Sequence, residues 1–328
     1  MKKNLSKKAK TFIILGSVAI LLFVTLMVYF FGARYPEFNQ VSAKEFEIPG
    51  LETSFVPQGL DYDSTSEKFV VCGYMGDGSA SRIYIVDAKT GITEKYVTLT
   101  TDLQDYTGHA GGIAINYPYA FICGDGYLYR FNYENLLLTE NGGKLEVMDS
   151  FETHNGADSV CIIDGKLVVV EFYREEDYET NPAHKITIGN ETHRAISFVY
   201  EIDHSKTAGI KPTVLYGIST PDQVQGMSLN KDGNLVLSTS YGLSNSKLYV
   251  YESFIGKEFN AEAFCAGALT QVYFLSEEDL IKEYDKVPCM SEEMVLVDDK
   301  VYILFESKCK KYRLFTRTRI DSVYSMAI

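Results

Sequence analysis

Tryptophan is absent from this 328-residue chain, and proline and histidine are scarce, at 8 and 5 residues. The aromatic content is therefore all Tyr and Phe, 24 and 19 residues, and rings of this kind beside 25 Gly favour β structure. No C-x-x-C pair occurs among the six cysteines, which excludes a zinc ribbon or a thioredoxin-type centre. No G-x-S-x-G elbow occurs either: GMSLN (Gly226–Asn230) lacks the final glycine. The HAGG segment (His109–Gly112) thus has no nucleophile to serve as an oxyanion loop. Positive charge is also short, with 31 Lys and Arg against 44 Asp and Glu, a net −13. Five lysines (Lys2, Lys3, Lys7, Lys8 and Lys10) fall in the first ten residues, so the remainder sets 26 basic residues against 44 acids, a net −18. A body that acidic repels phosphate backbones and argues against nucleic acid as a partner. Hydrophobic content of 46% with 23% charged residues excludes a mostly disordered chain.

What is present begins with an apolar run. Phe12–Phe31 is twenty residues without a charge, and the charge-free stretch extends from Thr11 to Ala33. As a helix it spans about 30 Å, the thickness of a bilayer's hydrocarbon core. A signal peptide would carry a shorter apolar segment of roughly 7–15 residues, although Gly32 and Ala33 leave cleavage open as the alternative. Tyr29, Phe30 and Phe31 close the run with interface-seeking rings. The expectation is an uncleaved signal-anchor. Residues 1–10 form a cytoplasmic basic tail, 11–33 the transmembrane segment, 34–43 a linker, and 44–328 an extracellular body oriented by the lysines.

That body repeats. VPQGLDYD from Val56, HAGGIAIN from His109, GADSVCII from Gly156, VQGMSLNK from Val224 and MSEEMVLV from Met290 resemble one another. Each leads into a turn (Asp63–Lys68, Tyr117–Pro118, Asp164–Gly165, Asp232–Gly233, Asp298–Asp299) and a second apolar strand. Third strands follow at Arg82–Asp87, Tyr127–Asn132, Ile196–Ile202 and Lys247–Glu252, and fourth strands at Thr93–Leu99, Lys144–Phe151 and Val214–Ile218. Four antiparallel strands repeated at intervals of roughly 45–70 residues describe propeller blades. The expected fold is an all-β, five-bladed β-propeller preceded by one N-terminal transmembrane helix. A sixth irregular blade within Lys247–Val287 is the alternative. Long insertions at Arg174–Ala195 and Ser253–Thr270 account for the uneven spacing. Only VYSMAI (Val323–Ile328) follows the fifth hairpin, so Lys44–Ile48 is expected to complete the last blade from the N-terminal side.

QGLDYD, GGIAIN, QGMSLNKDGNLVLSTSYG and SEEMVLVDDKVYILFES resemble repeats of the NHL, SMP-30 and YncE-like group of propellers over about Phe46–Ile328. Together with the anchor, they resemble membrane-anchored or secreted propeller proteins of Gram-positive bacteria. SMP-30-type members are metal-dependent lactonases, but their acidic metal motif has no residue-by-residue counterpart here, so that activity does not carry over.

Counting strand pairs outward from the turns places Asp158 opposite Glu171, Gln225 opposite Ser240, Ala110 opposite Asp125, and Ser291 opposite Glu306. It also pairs Glu292 with Phe305 and leaves Gln58 near Gly73. One channel mouth should then gather Gln58, His109, Asp125, His154, Asp158, Glu171, Gln225, Glu292 and Glu306, with a one-residue slip enough to turn any of them away. Gln58, Asp125, Gln225, Glu292 and Glu306 are the ligand-binding candidates; His109, His154, Asp158 and Glu171 are the acid/base candidates. Asp158, Glu171 and Glu306 are the metal candidates, suited to Ca²⁺ or Mg²⁺, whereas imidazoles would suit Zn²⁺. Hydration of the channel or bonding between blades is the simpler reading of the same polar ends. Two functions follow: a membrane-anchored binding module for an extracellular ligand or protein, or a metal-assisted hydrolase of lactones or esters.

Other signals are weaker. GDG at Gly76–Gly78 and Gly124–Gly126 is too short for a phosphate loop, and Asp61 and Asp63 lack the glycine and glutamate of a calcium loop. His184, His193 and His204 are read as surface residues of the blade-three insertion or its surroundings. Cys72, Cys123 and Cys161 are read as small apolar groups of inner strands. Cys289 and Cys309, flanking the fifth hairpin, form the one candidate disulfide.

Overall fold

The structure, a computed structural model, describes residues 6–31 and 35–328. Lys2 and Lys3 of the basic tail, and Gly32 and Ala33 at the end of the apolar run, lie outside the described residues. Lys7–Phe31 forms a continuous helix whose segment Lys10–Tyr29 is long and apolar enough to cross a membrane.

The rest is built from hairpins that each add two further strands. Phe55–Asp63, Lys68–Met75, Arg82–Asp87 and Thr93–Thr101 make the first antiparallel set. Gly112–Asn116, Tyr119–Gly124, Tyr127–Asn132 and Asp149–Glu152 make the second. Ser159–Ile163, Lys166–Val170, Ala195–Glu201 and Tyr216–Thr220 make the third, and Val224–Leu229, Leu235–Thr239, Ser246–Tyr251 and Leu280–Val287 the fourth. The fifth takes Ser291–Val297, Lys300–Phe305 and Ser322–Met326 from the C-terminal end, and its outer strand, Ser42–Glu47, from the N-terminal end. Ser42 pairs with Met326 and Glu47 with Ser322, so the ring is closed by strand pairing, as the terminal sequences imply. The innermost strands touch in the cyclic order of blades 1, 2, 3, 4, 5 and back to 1. The chain is a five-bladed β-propeller.

Blades pack face to face, which explains why their middle strands are apolar without interruption rather than alternating. In Lys68–Met75, Val70 and Cys72 join the core shared with blade 2, while Phe69 and Val71 face blade 5. The rings of Phe46, Tyr62 and Tyr302 surround Phe69 at 4.8, 4.8 and 5.0 Å. Equivalent cores lie between blades 2 and 3 and between blades 3 and 4. The Asp164–Gly165 turn follows the sequence, with φ of 50° and 69°, the mirror-image turn that matches strand twist, whereas at Asp232–Gly233 only the glycine is positive, at 79°.

Several expectations need correction. Lys247–Val287 holds no sixth blade: Ala261–Cys265 and Ala268–Phe274 form a hairpin that extends blade 3, with Gly217–Ser219 running parallel to Val272–Phe274. Lys144–Phe151 is not one strand. Lys144–Glu146 runs parallel to Thr98–Thr100 of blade 1, and only Asp149–Glu152 closes blade 2. The expected linker is partly a helix, Pro36–Val41, fixed by Phe38, whose buried ring meets Phe305 and Tyr324 at 6.2 and 5.5 Å. His184 and His193 are buried, not superficial: His184 Nδ1 lies 2.7 Å from Glu171 Oε2, and His193 stacks on Phe274 at 4.1 Å. Cys72 and Cys123 belong to second strands, and only Cys161 lies in an innermost one. Cys289 and Cys309 are free, buried thiols rather than a disulfide. Beyond the hairpin the chain turns, with Cys309 N donating to Glu306 O, and the Cys309 side chain points into the core between blades.

Candidate functional site

The innermost strands share a three-residue element. Its first position holds Gln58, Gly111, Asp158, Gln225 and Glu292; its second, Gly59, Gly112, Ser159, Gly226 and Glu293; its third, Leu60, Ile113, Val160, Met227 and Met294. Four of the five second positions are Gly or Ser. The fifth is Glu293, almost fully buried, whose carboxylate reaches the other blades. Glu293 Oε2 accepts from Leu60 N (2.7 Å) and Ile113 N (3.0 Å), and Oε1 from Ser159 Oγ (2.7 Å) and Val160 N (3.2 Å). One side chain from blade 5 therefore ties blades 1, 2 and 3 together. The small residues make room for it: a Cβ on Gly112 would stand 2.6 Å from Glu293 Oε1, and one on Gly226 2.7 Å from Glu293 Cα. Burial pushes the Glu293 carboxyl up to about 8, against the opposing pull of the Ile113 and Leu60 N–H groups and the Ser159 hydroxyl.

β-Bulges create this arrangement. The pairing shifts between Pro57 and Gly59, between Val224 and Gly226, and between Ser291 and Met294. Gln58 and Gln225 are the extra residues of the first two, and Glu292 and Glu293 fall within the third. Ser291 consequently pairs with Phe305, not with Glu306, which corrects the register counted from the turn.

Beyond Glu293 the channel opens into a cavity of about 620 Å³. Gln58, His109, Asp125, Asp158, Gln225 and Glu306 line it, six of the nine residues expected at the mouth. His154 and Glu171 line an adjoining furrow of about 710 Å³ that shares Asp125 and Asp158. Glu292 lines neither; it is buried against Glu306, and burial first and that neighbour second push its carboxyl well up. Glu306 accepts from Gln58 Nε2 at 3.0 Å.

The carboxylates are already engaged. Asp158 Oδ2 accepts from Phe172 N (2.8 Å), and Asp125 Oδ2 from His109 N (3.2 Å). Glu171 Oε2 accepts from Ile196 N (2.8 Å) beside its contact with His184. Burial raises Asp158 to about 7, opposed by the Phe172 N–H, while desolvation by the channel wall lowers His109. Of the metal set, Asp158 lines both cavities, but Glu171, held by His184 and Ile196 N, lines only the furrow and Glu306 only the channel mouth. Among the described residues, no three His, Cys, Asp or Glu side chains are grouped so as to hold a metal ion.

Counting from the turns missed the aromatic walls. Phe172, Tyr178 and Tyr241 form one, with ring centroids 5.3 to 6.4 Å apart. Tyr74, Tyr312 and Lys311 form the other, with Lys311 Nζ donating to Tyr74 Oη at 2.6 Å and the His109 ring 4.8 Å from that of Tyr74. Tyr312 and Lys311 come from the long loop after the fifth hairpin, which has no counterpart in the repeat.

No family model matches the chain, and no curated protein matches it. Several solved structures are similar to it, at TM-scores below 0.5. The PQQ-bound aldose sugar dehydrogenase of Streptomyces coelicolor is 12% identical, with 88% of this chain and 97% of that chain covered and a TM-score of 0.47. The glutaminyl cyclase of Myxococcus xanthus is 8% identical over 88% and 97%, with a TM-score of 0.46. The hydrazine synthase of Kuenenia stuttgartiensis is 11% identical over 78% of this chain, with a TM-score of 0.38, and this chain spans 58% of it. No activity passes from them to this chain.

Proposed function

We propose that the chain is a single-pass, membrane-anchored propeller, with its N-terminus cytoplasmic and its body extracellular, that binds a small polar ligand in the channel mouth. The NHL, SMP-30 and YncE-like resemblance belongs to this reading. One observation carries it: a cavity of about 620 Å³ offers two aromatic walls, with Gln58 and Gln225 between them and its carboxylates already held by backbone N–H groups or Gln58. Flat rings beside amides suit a ring-bearing, polyhydroxylated ligand of the saccharide class, which presents C–H faces to the rings and hydroxyls to the amides. Calorimetric titration of the full chain in detergent with a panel of mono- and oligosaccharides tests this. Saturable binding that is lost in Tyr241→Ala and weakened in Gln225→Ala is the expected result, and no binding across the panel refutes it.

Asp158 gives hydrolysis a second reading. A carboxyl pushed to about 7 still holds a proton near neutral pH, and it faces the same cavity as His109. Lactone, carboxyl-ester and phosphate-ester substrates should then turn over, with loss in Asp158→Asn; turnover that survives the substitution rejects the assignment. Glu171 and His154 take no part in this reading, because they line only the furrow and not the cavity that holds His109.

A further inference from the structure

The loop from Ser307 to Ile320 departs from the rest of the body in charge and in exposure. It carries Lys308, Lys310, Lys311, Arg313, Arg317 and Arg319 and no acid, while the remainder of the chain beyond residue 10 sets 20 basic residues against 44 acids. At its tip Leu314 and Phe315 are 71% and 63% exposed, next to each other in sequence. Lys310 and Arg319 have no ion-pair partner among the described residues, and Arg313 has only the exposed Glu52 at 3.8 Å. The same loop touches the apolar helix: Tyr29 Oη donates to Phe315 O at 3.2 Å, and the Arg317 guanidinium lies 5.5 Å from the Tyr29 ring. Tyr35, just past the helix, bonds Thr318 Oγ1 at 2.9 Å. The loop therefore sits where the helix ends, and through Lys311 and Tyr312 it also walls the channel mouth.

We propose that this loop is a second membrane contact: Leu314 and Phe315 enter the headgroup–acyl boundary of the bilayer spanned by the helix, and Lys310, Arg313 and Arg319 bind its anionic lipid headgroups. Paired apolar side chains ringed by basic ones fit an interfacial site, where area burial and attraction to anionic lipid add. Continuity with Tyr29 and the scarcity of positive charge elsewhere on the body select a lipid surface as the occupant. The contact holds the channel mouth towards the membrane. It rests on the reading of Lys7–Phe31 as a membrane anchor.

The absence of Trp supplies the test. Full chain carrying Phe315→Trp is reconstituted into phosphatidylcholine vesicles with and without phosphatidylglycerol, and emission is quenched by lipids brominated near the headgroup end of the acyl chain. Leu138→Trp is the control: Leu138 is 75% exposed and ends the helix that starts at Tyr133, whose N–H donates to Pro118 O in the turn at the opposite end of the channel. The expected result is blue-shifted, strongly quenched emission at position 315, greater with phosphatidylglycerol, and none at 138. Lys310→Glu, Arg313→Glu and Arg319→Glu together should abolish the gain from phosphatidylglycerol. Protein that floats with the vesicles yet leaves position 315 unquenched overturns the proposal, as does equal quenching at 138. Quenching indifferent to phosphatidylglycerol overturns the anionic-lipid part. Protein that does not float overturns the anchor itself, and the proposal with it.

Discussion

Replacing Glu293 tests whether one carboxylate holds the ring. In Glu293→Ala the N–H groups of Leu60, Ile113 and Val160 lose their acceptor. At about 1–3 kcal/mol per buried unsatisfied group the cost lies at about 3–9 kcal/mol, and water entering the vacated volume lowers it towards the smaller figure. A fold of this kind has about 5–15 kcal/mol in total, so the variant should be severely destabilised. Glu293→Gln should be milder. Its amide oxygen keeps the Leu60 and Ile113 bonds and its NH2 donates to Ser159 Oγ, which leaves only the Val160 N–H unpaired, about 1–3 kcal/mol. The pH dependence gives a second readout. Because the folded-state value is raised, the native state keeps a proton that the unfolded chain releases, so this group's stabilising contribution is complete below about pH 4.5 and is lost as pH rises through about 8. At about 1.4 kcal/mol per pH unit the span amounts to about 5 kcal/mol. Asp61 and Asp158, both raised to about 7 by burial, act in the same direction. Stability should therefore fall from pH 5 to pH 8.5 in the parent and fall less steeply in Glu293→Gln. Guanidinium unfolding of the full chain in detergent, followed by circular dichroism, measures both. Equal midpoints for the Ala and Gln variants, or an unchanged pH slope in the Gln variant, would refute the reasoning.

Three further outcomes are expected. Gly112→Ala places its Cβ 2.6 Å from both Glu293 Oε1 and Val160 N, and should lower stability by about 1–3 kcal/mol in the same assay; a neutral result would mean the axis is not close-packed. His184→Ala strands the buried Glu171 with Ile196 N as its one remaining partner, and should cost about 3–5 kcal/mol in thermal melts. A parent-like melting temperature would show that the pair adds nothing. All six cysteines are buried and free, so Ellman's reagent should count none in the folded protein and six after denaturation without reductant, whereas a Cys289–Cys309 bridge would leave four.

By itself, the sequence determined the apolar helix, the blade repeat and its closure. These depend on local signals: uninterrupted apolar strands, Asp-Gly turns and a terminal strand that needs a partner. The same signals bring His109, Asp125 and Asp158 to the mouth, because pairing runs unbroken from the turns of blades 2 and 3, whereas Gln58 and Gln225 reach it as bulge residues. Tertiary structure decided the rest. Bulges at Gln58, at Gln225 and at Glu292 and Glu293 shift the register by one residue, so Glu293 reaches the axis while Glu292 is buried at its side. A bulge depends on how the innermost strands crowd around the axis, which pairing counts do not contain. The repeat nevertheless held a sign of it, since Glu293 is the one large residue among Gly59, Gly112, Ser159 and Gly226. His184 and His193 became core residues because an insertion folded back over blade 3, and Tyr312 and Lys311 reached the mouth from a loop outside the repeat. Those placements follow from contacts between segments far apart in the chain, and no local pattern encodes them.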